Sequence, residues 1–318
     1  MLRLTSALYA GTERRFREFY RGIEGSETMS ENTSAGSKLA FHYTGSRDYI
    51  VTEELKNVVN IAIALQKPLL IKGEPGTGKT MLASSLAEAL GKELIIWSIK
   101  STTTAQNGLY VYDTVQRLYD SQFGEGDIAD IRQYIKLGML GVALSSDAQP
   151  VLLIDEIDKA DIEFPNDLLW ELDRMQFFIP ETRETITAKT RPIVIITSNA
   201  EKELPDAFLR RCIFHYIAFP EPDQMAKIVY AHYPNIDGTL LQRAMDKFYE
   251  IRKVDDIQKK PSTSELLDWL TALSISGITL EGEAKDIPFL GVLLKKNEDT
   301  DTLQEFNEKG PKAVYKRR

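Results

Sequence analysis

Eight consecutive residues have the types and the spacing that can hold a phosphate group. They follow the pattern G-x-x-x-x-G-K-[ST] and are Gly73, Glu74, Pro75, Gly76, Thr77, Gly78, Lys79 and Thr80. In such a loop the glycines let backbone N–H groups converge on phosphate oxygens at the positive end of a helix. We call residues 73–80 the phosphate loop, and we predict that it binds the phosphates of a nucleotide.

Two side chains at the end of this loop have separate predicted tasks. Lys79 would reach the β and γ phosphates, and the hydroxyl of Thr80 suits Mg²⁺, a hard ion that prefers oxygen ligands. A plain glycine turn is the alternative interpretation. However, the apolar residues 68–71 before the loop and the helically spaced leucines after it predict a strand, a loop and a helix in that order. A phosphate site requires this order.

A pair of acids follows the apolar run at residues 151–154, which is typical of a strand buried in a parallel sheet. We call this pair, Asp155 and Glu156, the strand-end acids. Asp155 suits the hydration shell of Mg²⁺, and Glu156 is placed to orient and deprotonate an attacking water molecule. The alternative is a solvated acidic turn that also contains Asp158 and Asp161.

Further polar residues follow later apolar segments. Asn199 lies just after the apolar run at residues 192–197, and we predict that it holds the water molecule, the alternative being a turn-forming asparagine. Arg210 and Arg211 end a short helix predicted at residues 204–209. A surface ion pair is the alternative for Arg211.

The alternation of apolar runs and helical periods predicts an α/β fold, with a parallel sheet sandwiched by helices and a C-terminal helical lid domain. We predict a flexible N-terminal tail and linker over residues 1–46, a nucleotide-binding α/β domain over 47–220, and the lid domain with a C-terminal tail over 221–318. Three lid helices are predicted, near residues 222–233, 237–254 and 262–275.

Two additions to the sheet are predicted inside the α/β domain. Residues 177–187 alternate in a way that indicates a β-hairpin around Glu181. Residues 108–123 contain three tyrosines and form an insertion, since this stretch is too long for a simple connection. Its tyrosines either bind a base or a peptide or, as we prefer, pack onto a helix predicted over residues 128–144.

Composition excludes several classes of protein. The chain has 318 residues, of which 43% are apolar, so it can form a sizeable core. No apolar run approaches the ~18 residues of a membrane span, and the single cysteine, Cys212, excludes a disulfide framework. The net charge of -8 disfavours a nucleic-acid partner, because phosphate contacts need clustered Lys and Arg. Because the sequence predicts neither a membrane span nor a disulfide framework, we expect a cytoplasmic protein.

The first 28 residues differ from the rest, because arginines outnumber acids there. A transit peptide normally lacks acids, and a secretory signal needs a longer apolar core than residues 4–10. The preferred interpretation is a mobile tail, or translation that starts upstream of Met29. The sequence leaves open whether residues 1–28 are present in the mature protein.

The order of these features resembles AAA+ ATPases over roughly residues 47–295. Within that superfamily GEPGTGKT, VLLIDEIDKA and LPDAFLRRC resemble the MoxR family, as do the hairpin and the insertion. The resemblance implies ATP and Mg²⁺ as cofactors, and it implies that Lys79 and Thr80 are the phosphate-loop pair. Asp155 and Glu156 then become the metal-binding acid and the catalytic base.

By the same resemblance, Asn199 is the first sensor and Arg211 the arginine finger, with Arg210 in reserve. Tyr49, Ile50 and Met81 complete the cofactor-binding set, with Tyr49 and Ile50 expected near adenine. MoxR relatives form hexameric rings that remodel or activate a protein client, often with a von Willebrand factor A partner. A homo-hexamer with a protein client is therefore expected.

The chain departs from this resemblance at the second sensor. That sensor is usually an arginine in a Pro-Ser-Pro-Arg context, whereas this chain has Ser264 at the arginine position. Either Lys259 or Lys260 substitutes for it, or nucleotide closes the lid more weakly. The sequence does not decide between these, and it does not give the client, the ring size, or the preference for ATP over GTP.

Three other functions compete with a remodelling ATPase. A small-molecule kinase also has a phosphate loop, but it needs an acceptor pocket and does not need Glu156, Asn199 and Arg211 around a water molecule. A nucleic-acid motor or restriction component is disfavoured by the net charge. A module in which nucleotide only switches conformation is the third.

Overall fold

The computed structural model describes residues 42–46, 49–124, 128–199, 201–278, 280 and 287–309. The predictions for residues 1–28 and most of the predicted linker lie outside the described residues. The chain divides into two compact units. The first comprises Met1–Gly73 and Lys79–Ile217, and the second comprises Glu74–Gly78 and Ala218–Arg318.

A five-stranded parallel sheet forms the centre of the first unit, in the order β2-β5-β8-β1-β9. Its strands are β1 (Leu69–Gly73), β2 (Leu94–Ser98), β5 (Val151–Asp155), β8 (Ile193–Ser198) and β9 (Ile213–Ile217). The predicted α/β fold with a parallel sheet flanked by helices is confirmed.

Alternate residues of each central strand face opposite sides of the sheet, as a period of two requires. In β5, Leu152 and Ile154 pack into one buried apolar cluster, while Val151 and Leu153 pack into another. A strand that is apolar at every position therefore has both faces covered. The continuous apolar runs of the sequence reflect this arrangement.

Short helices and two small antiparallel sheets complete the first unit. The helices are α1 (Glu53–Leu65), α2 (Lys79–Leu90), α3 (Ala105–Leu109), α4 (Thr114–Phe123), α5 (Met139–Ser145), α6 (Phe164–Asp167), α7 (Leu169–Arg174) and α8 (Asp206–Leu209). The small sheets pair β3 (Tyr110–Tyr112) with β4 (Ile135–Leu137), and β6 (Gln176–Ile179) with β7 (Glu184–Thr187). The predicted hairpin is therefore present.

The helix predicted over residues 128–144 is wrong. This stretch forms a 3-10 turn at Ile131–Tyr134, then β4, and only then α5. β4 gains its backbone hydrogen bonds from β3, so pairing overrides the local helical pattern. Gly138, which follows β4, packs directly against the backbone of α3. A Cβ at this position would lie 2.1 Å from the carbonyl oxygen of Asn107.

The second unit has its own apolar core, built around the fully buried Trp269. Its helices are α9 (Pro222–His232), α10 (Gly238–Arg252), α11 (Thr263–Ser276), α12 (Leu290–Leu293) and α13 (Asn297–Lys309). The first three match the predicted helices, while α12 and α13 were not predicted. Leu293 and Leu303 from these last two helices are buried in the same core. Nowhere in the described part of the chain is a helix long and apolar enough to cross a membrane.

Candidate active site

The phosphate loop joins β1 to α2, as the sequence predicts for a strand, loop and helix. Gly76 and Gly78 have φ of 76° and 82°, a left-handed conformation that glycine adopts without strain. Thr77 Oγ1 donates to the carbonyl oxygen of Glu74 at 2.9 Å, which closes the turn. Buried Lys79 folds back, and its Nζ donates to the carbonyl oxygen of Gly73 at 2.9 Å.

The first strand-end acid lies beside the start of α2. Thr80 Oγ1 is 3.0 Å from Asp155 Oδ1 and 3.3 Å from Oδ2. A hydroxyl and a carboxylate at this spacing fit Mg²⁺, which takes one or two protein ligands and keeps several waters. The described residues contain no group of three or more His, Cys, Asp or Glu that could hold a metal ion alone. The Thr80 hydroxyl and the Asp155 carboxylate supply oxygen donors, the type of ligand that Mg²⁺ prefers.

Glu156 is held in an uncommon conformation directly after β5. Its φ is 59°, in the left-handed region. Its backbone N–H donates to Thr197 Oγ1 at 2.8 Å, and its carboxylate accepts from Asn199 Nδ2 at 2.9 Å and forms an ion pair with Lys159. The hydrogen bond and charge of Glu156 raise the pKa of Lys159. The structure thus brings Glu156 and Asn199 together.

Thr197 connects the two strand-end acids. It lies on β8, next to β5 in the sheet, and its hydroxyl donates to Asp155 Oδ1 at 2.6 Å while accepting from the N–H of Glu156. Thr197 was not among the residues predicted from the sequence. Its signal was a hydroxyl residue that follows four apolar residues of β8 and precedes Ser198.

Asp158 does not belong to a solvated acidic turn, which was the alternative interpretation of this stretch. Only 2% of Asp158 is exposed. Its carboxylate accepts from the backbone N–H of Glu201 at 2.9 Å and lies 3.4 Å from that of Asn199. Asp158 therefore fixes the segment that carries Asn199.

The paired arginines lie at the end of α8. Arg211 Nε is 2.6 Å from Asp173 Oδ2, and its Nη1 donates to the carbonyl oxygen of Ala207 at 2.8 Å. The Arg211 side chain is 42% exposed, and Arg210 is also exposed. Within the chain, Arg211 therefore forms the surface ion pair named as its alternative, with a guanidinium still accessible from outside.

Tyr49, Ile50 and Met81 are the other residues predicted to bind the cofactor. Tyr49 forms an isolated bridge with Ser46 and packs against the core, and burial raises its pKa. Ile50 is half-buried, and Met81 is exposed on α2. The roles of all three in binding adenine or phosphate stay predictions.

Lys259 and Lys260 are the candidates for the missing second sensor. None of the contacts that the structure describes for either lysine is with the phosphate loop. Lys259 Nζ is 3.4 Å from Glu265 Oε1, in the same unit. Lys260 is exposed, and so is Ser264.

Comparison with known proteins supports an ATPase. Residues 69–220 match the family model described as "ATPase family associated with various cellular activities (AAA)". The chain is 26% identical over 300 residues to the "Pachytene checkpoint protein 2 homolog" of Danio rerio, covering 85% of this chain and 64% of that protein. It is 25% identical over 243 residues to the "Lon protease" of Mesomycoplasma hyopneumoniae (strain 232), covering 74% of this chain and 26% of that protein.

The chain thus spans less than two thirds of the length of these two relatives. Among solved structures, the AAA domain of FIGL-1 in complex with ADP matches with 22% identity and a TM-score of 0.37, covering 67% of this chain and 62% of that one. The family match covers β1 to β9, which contain the phosphate loop, the strand-end acids and Asn199. Residues 69–220 are therefore similar to the AAA family over the part of the chain that contains these residues.

Proposed function

We propose that this chain hydrolyses ATP with the aid of Mg²⁺ and uses the energy to remodel or activate a protein client. The observation that carries the proposal is the group at the end of β5 and β8. There, Thr80 lies beside Asp155, and Glu156 accepts a hydrogen bond from Asn199.

The chemistry assigned to these residues is hydrolysis of the terminal phosphate. Glu156 takes a proton from water while the water oxygen bonds to the γ phosphorus, and the bond from that phosphorus to the β–γ bridging oxygen breaks. Asn199 orients the Glu156 carboxylate. Mg²⁺, held by Thr80 and Asp155, would supply charge that neutralises the phosphate oxygens.

Lys159 adds a condition to this mechanism. In the structure Lys159 contacts one oxygen of the Glu156 carboxylate and Asn199 contacts the other. Glu156 therefore acts as a base most effectively when its carboxylate turns from Lys159 towards the water molecule. The ion pair is partly exposed, so its contribution is small enough for such a change.

The finer parts of the proposal are a MoxR-type assembly, a homo-hexameric ring and a von Willebrand factor A partner. The motif resemblance supports them, and so does the half-exposed Arg211 at the end of α8, which a neighbouring subunit could reach. A cytoplasmic location belongs to the same proposal.

Phosphate release without an added acceptor tests the reaction. Lys79→Ala should abolish binding of ATP, because Lys79 contacts phosphates in the ground state. Glu156→Gln should keep binding and reduce the rate about 10²- to 10⁴-fold, because the carboxylate acts on water only in the reaction. The two effects are separated by measuring nucleotide affinity and phosphate release for each variant.

Three outcomes would count against the proposal. Equal loss of ATP affinity in both variants would show that Glu156 is not the base. ADP formation that requires a small-molecule acceptor and releases no free phosphate would indicate a kinase. Stimulation by DNA or RNA in the same assay would favour the nucleic-acid alternative, and the proteins that co-purify with the Glu156→Gln variant would identify the client.

A further inference from the structure

Arg252, the last residue of α10, contacts the phosphate loop within the second unit, which includes loop residues Glu74–Gly78. Its Nη2 is 2.7 Å from Glu74 Oε2, and its Nη1 donates to the carbonyl oxygen of Pro261 at 2.5 Å. Its guanidinium carbon lies 3.3 Å from the centre of the Phe219 ring. The guanidinium is thus held on three sides.

This arrangement fixes the charge of Arg252 in place. Only 10% of its side chain is exposed, and a buried arginine needs a partner of opposite charge. Stacking on Phe219 and the bond to Pro261 hold the planar group before any nucleotide arrives, so little side-chain entropy is lost in keeping it there.

Glu74 needs such a partner for a different reason. It is the second residue of a loop whose predicted ligand is strongly negative, and a free carboxylate there would repel that ligand. Its side chain is 44% exposed, so water screens the charge only in part. An arginine at 2.7 Å cancels most of the repulsion.

The same loop segment has a second close contact within its own unit. A Cβ at Gly76 would lie 2.5 Å from Cβ of Ser262, the N-cap of α11. Glu74 and Gly76 are therefore both in contact with residues next to helix ends of that unit. Residues at these helix ends therefore help to position the loop segment within the second unit.

We propose that Arg252 sets the nucleotide affinity of the phosphate loop by neutralising and positioning Glu74. The inference rests on the proposed function, because it requires that the loop bind nucleotide. Arg252 is a positioning residue in this scheme: it acts through Glu74, and the predicted substitutes Lys259 and Lys260 are not needed for that contact.

The test is a double-mutant cycle on nucleotide affinity. Arg252→Met keeps an unbranched stem against Phe219 and removes the charge. We expect it to weaken binding of a fluorescent ATP analogue about tenfold, the size of a partly screened charge interaction. Adding Glu74→Gln should restore affinity to within about threefold of the wild type, because the uncompensated carboxylate is gone.

The matched control is Arg243→Met. Arg243 lies on the same helix, is exposed, and donates to the carbonyl oxygen of Leu280 at 2.7 Å. Its loss should leave nucleotide affinity unchanged. A lower kcat with unchanged affinity in Arg252→Met would also contradict the inference, since Glu74 is assigned to binding.

Glu74→Gln alone keeps the inference testable if Arg252→Met does not fold. It leaves the positive charge of Arg252 at the loop, so the analogue should bind at least as tightly as to the wild type, with a steeper salt dependence. Weaker binding by Glu74→Gln would overturn the inference, as would unchanged affinity in Arg252→Met or no recovery in the double variant. A wild type that binds no nucleotide would instead contradict the proposed function.

Discussion

The strand-end acids and the paired arginines differ in how firmly the chain holds them. Asp155 and Glu156 receive hydrogen bonds from Thr80, Thr197 and Asn199, on neighbouring elements of the first unit. The Arg211 side chain contacts the nearby Asp173 and Ala207, and it is half-exposed.

This difference matches the roles proposed for the two groups. A base that acts on water within its own subunit benefits from fixed partners, because misplacement of even about 1 Å reduces the rate. A residue that acts on another subunit must be able to exchange a partner in its own chain for one outside. The exposed Arg211–Asp173 pair allows this, since such pairs contribute about 0 to 1 kcal/mol.

Arg211→Ala should have the largest effect of the changes that probe this comparison. An arginine finger contributes roughly 10³ to 10⁵ in rate, because a planar guanidinium meets charge spread over the phosphoryl oxygens. A surface ion pair predicts nearly normal activity. Phosphate release by Arg211→Ala separates the two, with Arg210→Ala as the matched variant one position away.

Mixing variants tests whether Arg211 acts on a neighbouring subunit. Inactive Arg211→Ala and inactive Lys79→Ala subunits should partly restore each other, because a mixed ring brings an intact phosphate loop beside an intact arginine. If mixed rings form and remain inactive, Arg211 acts within its own chain.

Thr197→Val should have a smaller effect on the strand-end acids. It keeps the shape of the side chain but removes the hydroxyl that contacts Asp155 and the N–H of Glu156. We expect about a 10- to 100-fold lower rate and a higher Mg²⁺ concentration for half-maximal activity, since two partly buried polar groups lose a partner. Thr197→Ser keeps the hydroxyl and should recover most of both; if it does not, the methyl group is what matters.

Tyr110→Phe should have the smallest effect, because it lies in the insertion outside the strand-end group. The change removes the hydrogen bond from the Tyr110 hydroxyl to Glu181 Oε2, 2.9 Å long, at a cost of about 1 kcal/mol. Thermal unfolding should shift by a few degrees while phosphate release stays unchanged. Tyr119→Phe, at an exposed position of α4, is the control and should alter neither.

The sequence predicted the parts of the molecule in which local pattern and tertiary structure agree. β5 is apolar at four successive positions because both faces of the sheet are covered, so its position and the acids after it were predictable. The phosphate loop was predictable because its glycines, Lys79 and Thr80 are adjacent in sequence.

Residues whose role depends on a neighbouring strand were harder to predict. Thr197 contacts strand-end acids that are about 40 residues earlier, and only the order of strands in the sheet brings them together. From the sequence alone, Asp158 is one acid among several in a turn. Its role is visible only from the backbone N–H groups of Asn199 and Glu201, which donate to its carboxylate. Arg252 and Glu74 are still further apart in the chain, and no sequence period links them.

At position 156, catalytic activity and stability favour different residues. Activity requires glutamate, whereas the left-handed backbone conformation there favours glycine or asparagine. A non-glycine residue in this conformation costs about 1 to 2 kcal/mol, a penalty that glycine does not incur and asparagine tolerates better. A library of variants screened for heat resistance alone should therefore accumulate glycine or asparagine at position 156, and those survivors should be poor catalysts. Laboratory evolution of a thermostable form would have to select for turnover at every round to keep this glutamate.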